Sequence, residues 1–453
     1  MPTRIEKAND GQYYFEVEYS AYTGLNVQTP ENLIPDTATP ASTNFMFRNG
    51  ELRSRPTFRK QFVGPDRNNP ILGSFSFQDP NGTYHTVCWN SRGLFQLNGN
   101  NQTPAANPWS YLGGPQILNQ NPMSYRAFAE TLYYCNGGPF LSSWNGLSYA
   151  PIPSVAIISA ANAPTVGGGL PGAPLLVGPL NIGGFYLGEL SNQLILANVV
   201  IQDAGAGNTI YTFPNMIWYS ANGIPNQWDP TVNTSAGFNP FLDVPDNLTG
   251  LITIGIAGFL FRTNGITQMT PTGSGAIPFQ FDHLWASAHG IGNVYPWSIS
   301  QYGNYGYFLS FEQVYQMSVN SFQPIGGDSR DAIYADLNNA SGNPTTSFSP
   351  ALALGYIYQR YTISIPLTSF TRHYQYDVEK QNWATWDTPG LIVTGKEEQC
   401  FTGQLPSLPI PGLFPPAVSV GGGSTVSGSS TAPTSGGTGG YAPPKQPPNQ
   451  FLP

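Results

Sequence analysis

The chain has 453 residues, of which 17 are Lys or Arg and 25 are Asp or Glu, so 9% are charged and the formal net charge is −8. Gly (51) and Pro (43) are abundant, and aromatic residues make up 13%. Helical bundles need charged stretches poor in Gly and Pro, and disordered chains lack aromatic residues, so the composition excludes both classes. It predicts a large, turn-rich all-β protein, and the acidic balance argues against a protein that coats nucleic acid.

The N-terminal section contains a basic cluster, formed by Arg48, Arg53, Arg55, Arg59, Lys60 and Arg67. We predict a hairpin over residues 44–59, in which strand alternation places Arg53 and Arg55 on one face. Two interpretations stay open. Arg48, Arg53 and Arg55 either contact an acidic neighbour or the ring-closing strand, or they form a solvated edge whose charge prevents aggregation.

Strand-like runs rich in β-branched and aromatic residues continue to about residue 395, each closed by Gly, Pro or Asn. They group into units of propeller-blade length, near residues 70–113, 123–153, 182–230, 249–290, 297–326 and 354–388. Several units end in a Trp-bearing outer strand, and residues 43–62 would close the ring with the last blade. We therefore predict an all-β protein, a β-propeller of antiparallel four-stranded blades, six in number or alternatively seven.

Local signals predict the turns and a single helix. Asn-Gly occurs seven times, mostly directly after an aromatic-rich strand, which predicts type I′ hairpin turns with positive φ. The helix is predicted over Asp331–Asn338, capped by Asp328 or Ser329.

Two segments lie outside the blade pattern. Residues 154–181 are apolar, uncharged and rich in Gly and Pro, which predicts a long loop or an interdomain excursion. Residues 404–453 carry one charge and include a Gly/Ser-rich stretch typical of a linker. The predicted domains are an N-terminal arm (1–42), the propeller (43–395) and an extended tail (396–453).

The end of the tail is rich in Pro and predicts a polyproline II segment that docks at little entropic cost. We expect Tyr441, Phe451 and Leu452 to contact a partner, with Phe451 and Leu452 in an apolar groove of another chain. The alternative is a tail that lies over its own propeller.

Motifs for catalysis or metal binding are missing from the sequence. The three Cys residues cannot form a disulfide framework, and the four His residues are scattered without metal-ligand spacing. A Gly-x-Gly-x-x-Gly pattern begins at Gly167, but Pro171 and Pro174 forbid the helix that it requires. We expect no catalytic residue, metal or cofactor. The remaining enzymatic alternative is a glycosidase that uses Asp229, Asp282 or Glu312.

Membrane and export signals are also missing. The N-terminus has no apolar stretch of a secretory signal, and the longest apolar run, Leu251–Phe261, is too short to cross a bilayer as a helix. We expect a soluble product without a membrane segment, made in a cytoplasm.

Three stretches resemble the tailed-phage propeller proteins. Glu31–Asp36 and Thr43–Pro56 resemble the entry into their first blade, although Thr57 stands where Gly is usual. Met216–Asp229 resembles a blade ending, and Gly303–Gly327 resembles a later blade followed by a short helix. Together the resemblance covers roughly residues 25–390.

The resemblance implies a packaged-DNA stabilisation protein, a tail hub or nozzle, in the virion tail. Such a protein forms a ring, here a homohexamer, below the portal and adaptor, contacts other tail or fibre proteins, and lets double-stranded DNA pass. A second hypothesis is a carbohydrate- or receptor-binding tail propeller whose exposed Trp and Tyr side chains stack on sugars.

Overall fold

The computed structural model describes most of the chain between residues 71 and 389. The described ranges are 71–97, 109–114, 121–148, 151–152, 154–170, 176–244, 246–275, 277–284, 290–341, 344–353 and 356–389. Before residue 71 it describes residue 65 and six short strands. Arg55, Tyr441, Phe451, Leu452 and the predicted tail lie outside the described residues.

The short N-terminal strands pair among themselves. β1 (Arg4–Lys7) and β2 (Tyr13–Glu16) are antiparallel, and β3 (Gly24–Leu25) and β4 (Ala38–Thr39) are parallel. β5 (Phe45–Arg48) and β6 (Glu51–Ser54) form an antiparallel hairpin, in which Arg48 is opposite Glu51 and Arg53 is opposite Met46.

Six antiparallel sheets follow one another along the described residues. The first is β7 (Gly73–Gln78), β8 (Tyr84–Asn90), β9 (Gly93–Leu97) and β10 (Trp109–Gly113). The second is β11 (Ser124–Phe128), β12 (Thr131–Cys135) and β13 (Ser142–Trp144). The third is β14 (Ile157–Ile158), β15 (Leu180–Leu190), β16 (Gln193–Asp203), β17 (Thr209–Tyr219) and β18 (Gly237–Pro240).

The other three sheets have four strands each. The fourth is β19 (Leu248–Ile254), β20 (Ala257–Arg262), β21 (Ile266–Pro271) and β22 (Phe279–His283). The fifth is β23 (Ser300–Tyr302), β24 (Tyr305–Leu309), β25 (Val314–Met317) and β26 (Phe322–Pro324). The sixth is β27 (Thr345–Ala353), β28 (Tyr356–Pro366), β29 (Phe370–Asp377) and β30 (Asn382–Pro389). The chain is thus an all-β propeller, and each predicted blade group overlaps one of these sheets, although the second sheet has three strands and the third has five where four were predicted.

Each sheet packs against the next through a shared apolar cluster. Phe75 of the first sheet contacts Tyr125 of the second, with ring centroids 4.4 Å apart. Similar clusters join the second sheet to the third, the third to the fourth, the fourth to the fifth and the fifth to the sixth. The core therefore lies between sheets, because both faces of most strands are covered.

Polar groups join β11, β15 and β19 of three consecutive sheets. The backbone N–H of Leu187 donates to Ser124 Oγ at 2.8 Å, which connects β15 to β11. Thr253 Oγ1 donates to the carbonyl oxygen of Glu189 at 2.5 Å, which connects β19 to β15. These bonds satisfy buried groups and fix each sheet against its neighbour.

The hairpin β5–β6 lies where the prediction for residues 43–62 expected it, next to the last sheet. Both β5 and β3 contact β30. The hairpin forms its own two-stranded sheet, however, and does not extend the hydrogen-bonded ladder of the sixth sheet.

Two α-helices occur in the described residues, one more than predicted. α1 (Ala163–Gly167) lies inside the predicted excursion, and α2 (Arg330–Asn338) confirms the helix predicted over Asp331–Asn338. Ser329 is the N-cap residue, but its side chain makes no capping bond. Its hydroxyl instead donates to the carbonyl oxygen of Leu25 at 3.4 Å.

The segment 154–181, predicted as a long loop or an interdomain excursion, is mostly irregular in its described part but contains two short elements, β14 and α1. Ile158 lies in β14, which pairs with β15, and Val166 and Leu170 are buried in the core between the second and third sheets. The segment is rich in Gly and Pro yet buried, because its apolar side chains fill a space that these sheets leave open.

The prediction of type I′ turns at Asn-Gly pairs is wrong where the structure describes them. A type I′ turn needs two consecutive residues with positive φ. At Asn81-Gly82, for example, only the glycine has positive φ. Among described pairs without glycine, consecutive positive values lie at Ala129-Glu130 (45° and 58°) and Ser191-Asn192 (52° and 63°), in the two-residue loops β11–β12 and β15–β16.

Candidate functional site

The carboxylates proposed for a glycosidase lie on different sheets. Asp229 is buried after β17 and accepts bonds from Thr231 Oγ1 at 2.6 Å and from Asn162 Nδ2 at 2.7 Å. Asp282 is exposed on β22, and Glu312 is exposed in the β24–β25 turn. The bonds of Asp229 hold the turn after β17, and the three carboxylates come from three different sheets.

The tryptophans do not offer stacking platforms for sugars where the structure describes them. Eight Trp side chains are described, and each is at most 6% exposed. Trp218 and Trp228, for example, are fully buried, and Trp218 Nε1 donates to the carbonyl oxygen of Trp228 at 2.9 Å. A glycan could not reach their faces without opening the core.

The described residues contain no metal-binding group and no membrane-spanning helix. No three His, Cys, Asp or Glu side chains among them are arranged to hold a metal ion. Neither described helix is long and apolar enough to cross a membrane. Cys88 and Cys135 are buried free thiols, and burial raises the pKa of each, so neither has the character of a reactive thiolate.

A network of bonded polar side chains lies at one end of the fourth sheet, around Arg262. Arg262 is the last residue of β20 and is 1% exposed. Its Nε donates to Thr267 Oγ1 at 2.9 Å, and its Nη1 donates to the carbonyl oxygens of Asp246 at 3.1 Å and Val244 at 3.5 Å. Its guanidinium carbon lies 4.6 Å from the ring centroid of Phe241, a cation–π arrangement.

His283, on β22, continues this network. Its Nδ1 lies 2.8 Å from Thr267 Oγ1, and its Nε2 lies 2.8 Å from Asp243 Oδ2. Thr267 Oγ1 already accepts from Arg262, so its own proton is best donated to Nδ1 of a neutral His283, whose Nε2–H then donates to Asp243. The hydrogen bond from His283 lowers the pKa of Asp243.

Asp243, His283 and Thr267 are bonded in the sequence carboxylate, imidazole, hydroxyl that is found in catalytic triads. They cannot act as a catalytic triad, however. Thr267 is fully buried, and its oxygen accepts from Arg262, which lowers its nucleophilicity. The network instead clamps the segment between the third and fourth sheets, because Arg262 and His283 both bind that segment.

The clamp was not predicted from the sequence. A local signal did exist, since Arg262 directly follows the eleven-residue apolar run and so ends a strand that is buried throughout. A charge at such a position needs partners. Asp243 and His283 are 40 residues apart, and no sequence pattern joins them.

Arg48 and Arg53, predicted as contact residues, lie on the hairpin β5–β6, whose side chains are outside the described part. Because β5 contacts β30, the hairpin lies next to the last sheet. The contacts of Arg48 and Arg53 with a partner stay a prediction.

Comparison with known proteins yields no family model and no curated protein that matches. Among solved structures, the extracellular domain of a hybrid two component system from B. thetaiotaomicron is 11% identical, with a TM-score of 0.35, over 71% of this chain and 35% of that one. Dihydro-heme d1 dehydrogenase is 12% identical, with a TM-score of 0.30, over 78% of this chain and 60% of that one. The chain thus spans about a third of the first structure and three fifths of the second.

The six-bladed β-propeller lectin of Aleuria aurantia is similar over 79% of this chain and 99% of its own, with 13% identity and a TM-score of 0.29. Likeness at this level bears on no activity, and the strand pairing described above carries the assignment of the fold.

Proposed function

We propose that this protein is a structural protein of a phage virion, a tail hub or nozzle that forms a homohexameric ring near the portal. The observation that carries the proposal is the order of the motifs that resemble tailed-phage propeller proteins. Three of the motifs coincide with architectural elements. Thr43–Pro56 contains the hairpin β5–β6. Met216–Asp229 contains the end of β17 and the turn after it, with buried Trp218 and Trp228, and Gly303–Gly327 contains β24, β25 and β26 of the fifth sheet.

A structural role without catalysis agrees with the way the described polar groups are used. Asp229 holds a turn, and Asp243 and His283 clamp an inter-sheet segment. We infer no cofactor and no catalytic residue.

The surface charge favours a conduit along which double-stranded DNA passes without adhering. Phe261 and Phe308 contact at 4.9 Å, so the ends of β20 and β24 lie side by side. Exposed carboxylates near these ends belong to Asp243, Asp282 and Glu312, whereas that of Asp331 is paired with Arg330 at 3.0 Å. Negative groups repel phosphates, which keeps passage reversible.

The ring is testable with the full-length protein by native mass spectrometry and negative-stain electron microscopy. We expect hexamers seen as closed rings, and we expect the neighbouring reading frames to encode portal, adaptor or fibre proteins. A protein that stays monomeric at concentrations up to about 50 μM, far above a typical micromolar affinity, would contradict the ring.

The partner contacts are tested separately in the same assay. Replacing Arg48, Arg53 and Arg55 by Ala should weaken assembly, and replacing them by Lys should restore little if bidentate contacts matter. Unchanged assembly and salt resistance of the Ala variant would favour the solvated-edge interpretation.

The tail has its own test. Deleting residues 440–453 should leave the melting temperature of the propeller nearly unchanged while it weakens assembly, because Phe451 and Leu452 are expected to dock on another chain. A truncated protein with normal assembly would exclude this tether.

A further inference from the structure

The long strands of the third sheet extend beyond the strand that covers them. β15, β16 and β17 have 11 residues each, whereas β18 pairs only with Met216–Tyr219 of β17. The earlier part of β17, Thr209–Phe213, pairs with Val199–Asp203 of β16 on one side. On its other side no residue in the described ranges forms a ladder with it. The opposite edge of the extension is covered, because β14 pairs with the start of β15.

This open edge, Thr209–Phe213, lacks the features that usually protect a strand edge. In an antiparallel ladder the N–H and C=O groups of alternate residues point away from the partner strand, so at least two residues of the open edge offer both groups outward. Charged side chains, prolines and bulges normally guard such edges. The five residues contain no charge and no proline, their register with β16 is regular, and Thr209, Ile210 and Thr212 are exposed. Another strand can therefore add to this edge.

The surface around the open edge is uncharged. Asp203 is the only charged residue of segments 154–184 and 199–215, and it is fully buried. Its carboxylate accepts from the backbone N–H of Val177 at 2.7 Å, so its charge is used inside the extension. Ile210 is instead 54% exposed and Val177 is 49% exposed. An added strand would meet apolar side chains and no exposed ion.

The outward backbone groups select the class of partner. Lipid tails cannot bond N–H and C=O groups, and nucleic acid needs cations for its phosphates, which segments 154–184 and 199–215 lack. An extended peptide satisfies the edge by β-augmentation, in which main-chain bonds give affinity and alternate side chains give specificity. The peptide should itself be uncharged, because an ion held against this surface would lose hydration without gaining a partner.

The C-terminal part of the chain has this chemistry. Residues 404–453 carry one charged side chain, that of Lys445. Within the predicted tether, Asn449–Leu452 is a stretch of four residues without Pro, about as long as the open edge, so all four backbone N–H groups are available to a ladder.

The side chains of this stretch also match the two faces of the open edge. Strand alternation would place Phe451 and Leu452 on opposite faces of an added strand. Tyr211 and Phe213 lie on the face that packs against the core between the second and third sheets, and Ile210 lies on the other face. Each apolar side chain of the peptide would therefore have an apolar neighbour.

The position of the third sheet indicates that the peptide comes from a neighbouring copy. Pro389 ends the sixth sheet, and consecutive sheets share apolar clusters, so the third and sixth sheets lie on opposite sides of the propeller. The tail of the same copy would have to cross a whole face of the propeller. A head-to-tail ring can place the sixth sheet of one copy beside the third sheet of the next. As a coil, the Gly/Ser-rich residues 421–440 reach about 25 Å, which helps to bridge the two copies.

We propose that the open edge of β17 is the docking surface for Asn449–Leu452 of a neighbouring copy, which adds to the third sheet as a further strand. The inference rests on the proposed function, because it names the surface on which the tail tether docks. It also gives the ring a direction, from the sixth sheet of one copy to the third sheet of the next.

Hydrogen–deuterium exchange reports the added strand directly. The full-length protein is compared at about 50 μM with a protein that lacks residues 440–453. We expect the amides of Thr209–Phe213 to exchange at least about tenfold more slowly in the full-length protein, because an added strand bonds the amides that point outward. Dilution to the monomer should remove this slowing.

Substitutions on the edge provide a matched control. Replacing Ile210 and Thr212 by Lys should abolish the slowing, because charge on an edge opposes strand addition. Ile256→Lys places the same charge at another exposed apolar position, 81% exposed in the β19–β20 turn, and should keep the slowing. All three positions are exposed, so the melting temperatures should stay close to that of the unmodified protein.

The outcomes that contradict the proposal are distinguishable. Slowing that persists in the monomer would place the tail of the same copy on the edge. Hexamers that weaken on deletion of residues 440–453, without a change at Thr209–Phe213, would keep the proposed tether and refute this surface. A full-length protein that is monomeric and shows no slowing would refute both the ring and the surface. Flotation with phosphatidylcholine–phosphatidylglycerol vesicles that is lost in the Lys variant would assign the edge to a lipid surface instead.

Discussion

Gly183 is the position where the contact between the second and third sheets is least able to accept a side chain. It lies in β15, and a Cβ added there would be 2.2 Å from the carbonyl oxygen of Gly138 and 2.5 Å from the backbone nitrogen of Phe140. Ordinary carbon contacts begin near about 3.5 Å, so a methyl group is more than about 1 Å too close. The obstructing atoms are backbone and cannot rotate away.

Gly183→Ala should therefore separate β15 from the loop after β12. Two backbone bonds depend on this approach, from Gly137 N to the oxygen of Gly184 at 2.8 Å and from Leu141 N to the oxygen of Ile182 at 3.2 Å. Overpacking costs about 1–3 kcal/mol, and the rigid obstruction places this substitution at the upper end, about 3 kcal/mol.

Two other glycines serve as controls. A Cβ at Gly250 would meet Ile299 Cδ1 at 2.0 Å, the end of a flexible side chain, so Gly250→Ala should cost about 1 kcal/mol. A Cβ at Gly275 meets nothing within 4 Å, so Gly275→Ala should change stability by less than about 0.5 kcal/mol. Guanidinium unfolding followed by Trp fluorescence measures all three. The reasoning is refuted if Gly183→Ala costs no more than Gly250→Ala.

Two further predictions concern ionisable groups. Asp377→Asn should destabilise the protein by about 3–5 kcal/mol in the same assay, because it leaves the buried Arg360 guanidinium, 3.2 Å from Asp377 in the native protein, without its counterion. Lys380→Ala removes an exposed ion pair and should cost less than about 1 kcal/mol, and equal losses would contradict the argument. Asp79 has a pKa below its ordinary value of 3.8, chiefly because His85 hydrogen-bonds its carboxylate. The ionised Asp79 therefore stabilises the fold above pH 3.8, and this stabilisation is lost as the pH falls through the lowered pKa. The melting temperature should drop below about pH 4, and the drop should be smaller in Asp79→Asn; an identical acid profile would exclude the contribution of this pair.

The sheets could be predicted because their signals are local. In β8 and β24, for example, aromatic and β-branched residues form short runs that end at turn-forming residues, and consecutive strands pair in antiparallel order. The number and position of the sheets follow from such runs without knowledge of distant contacts.

The errors arise where distant contacts decide the structure. The composition of residues 154–170 predicts a loop or an excursion. The burial of their apolar side chains depends on a space between two sheets, which the sequence does not reveal. The turns were misassigned because strand register, rather than the Asn-Gly pair, places Ala129 and Glu130 at the hairpin centre. The Arg262 clamp combines residues from four elements, so only its buried charge could have been suspected.

The apolar clusters shared between consecutive sheets limit how such a chain can change in length. Removing one internal sheet would uncover the facing surfaces of two others, so its neighbours would each have to find a new complementary face. An insertion in a loop that is exposed to solvent uncovers no apolar face, so it requires no new packing partner. The exposed turns at Gly207 and Gly273 are such loops. Divergent forms of this chain should therefore keep the number of sheets and differ in loop length, and grafted peptides should be tolerated at those turns.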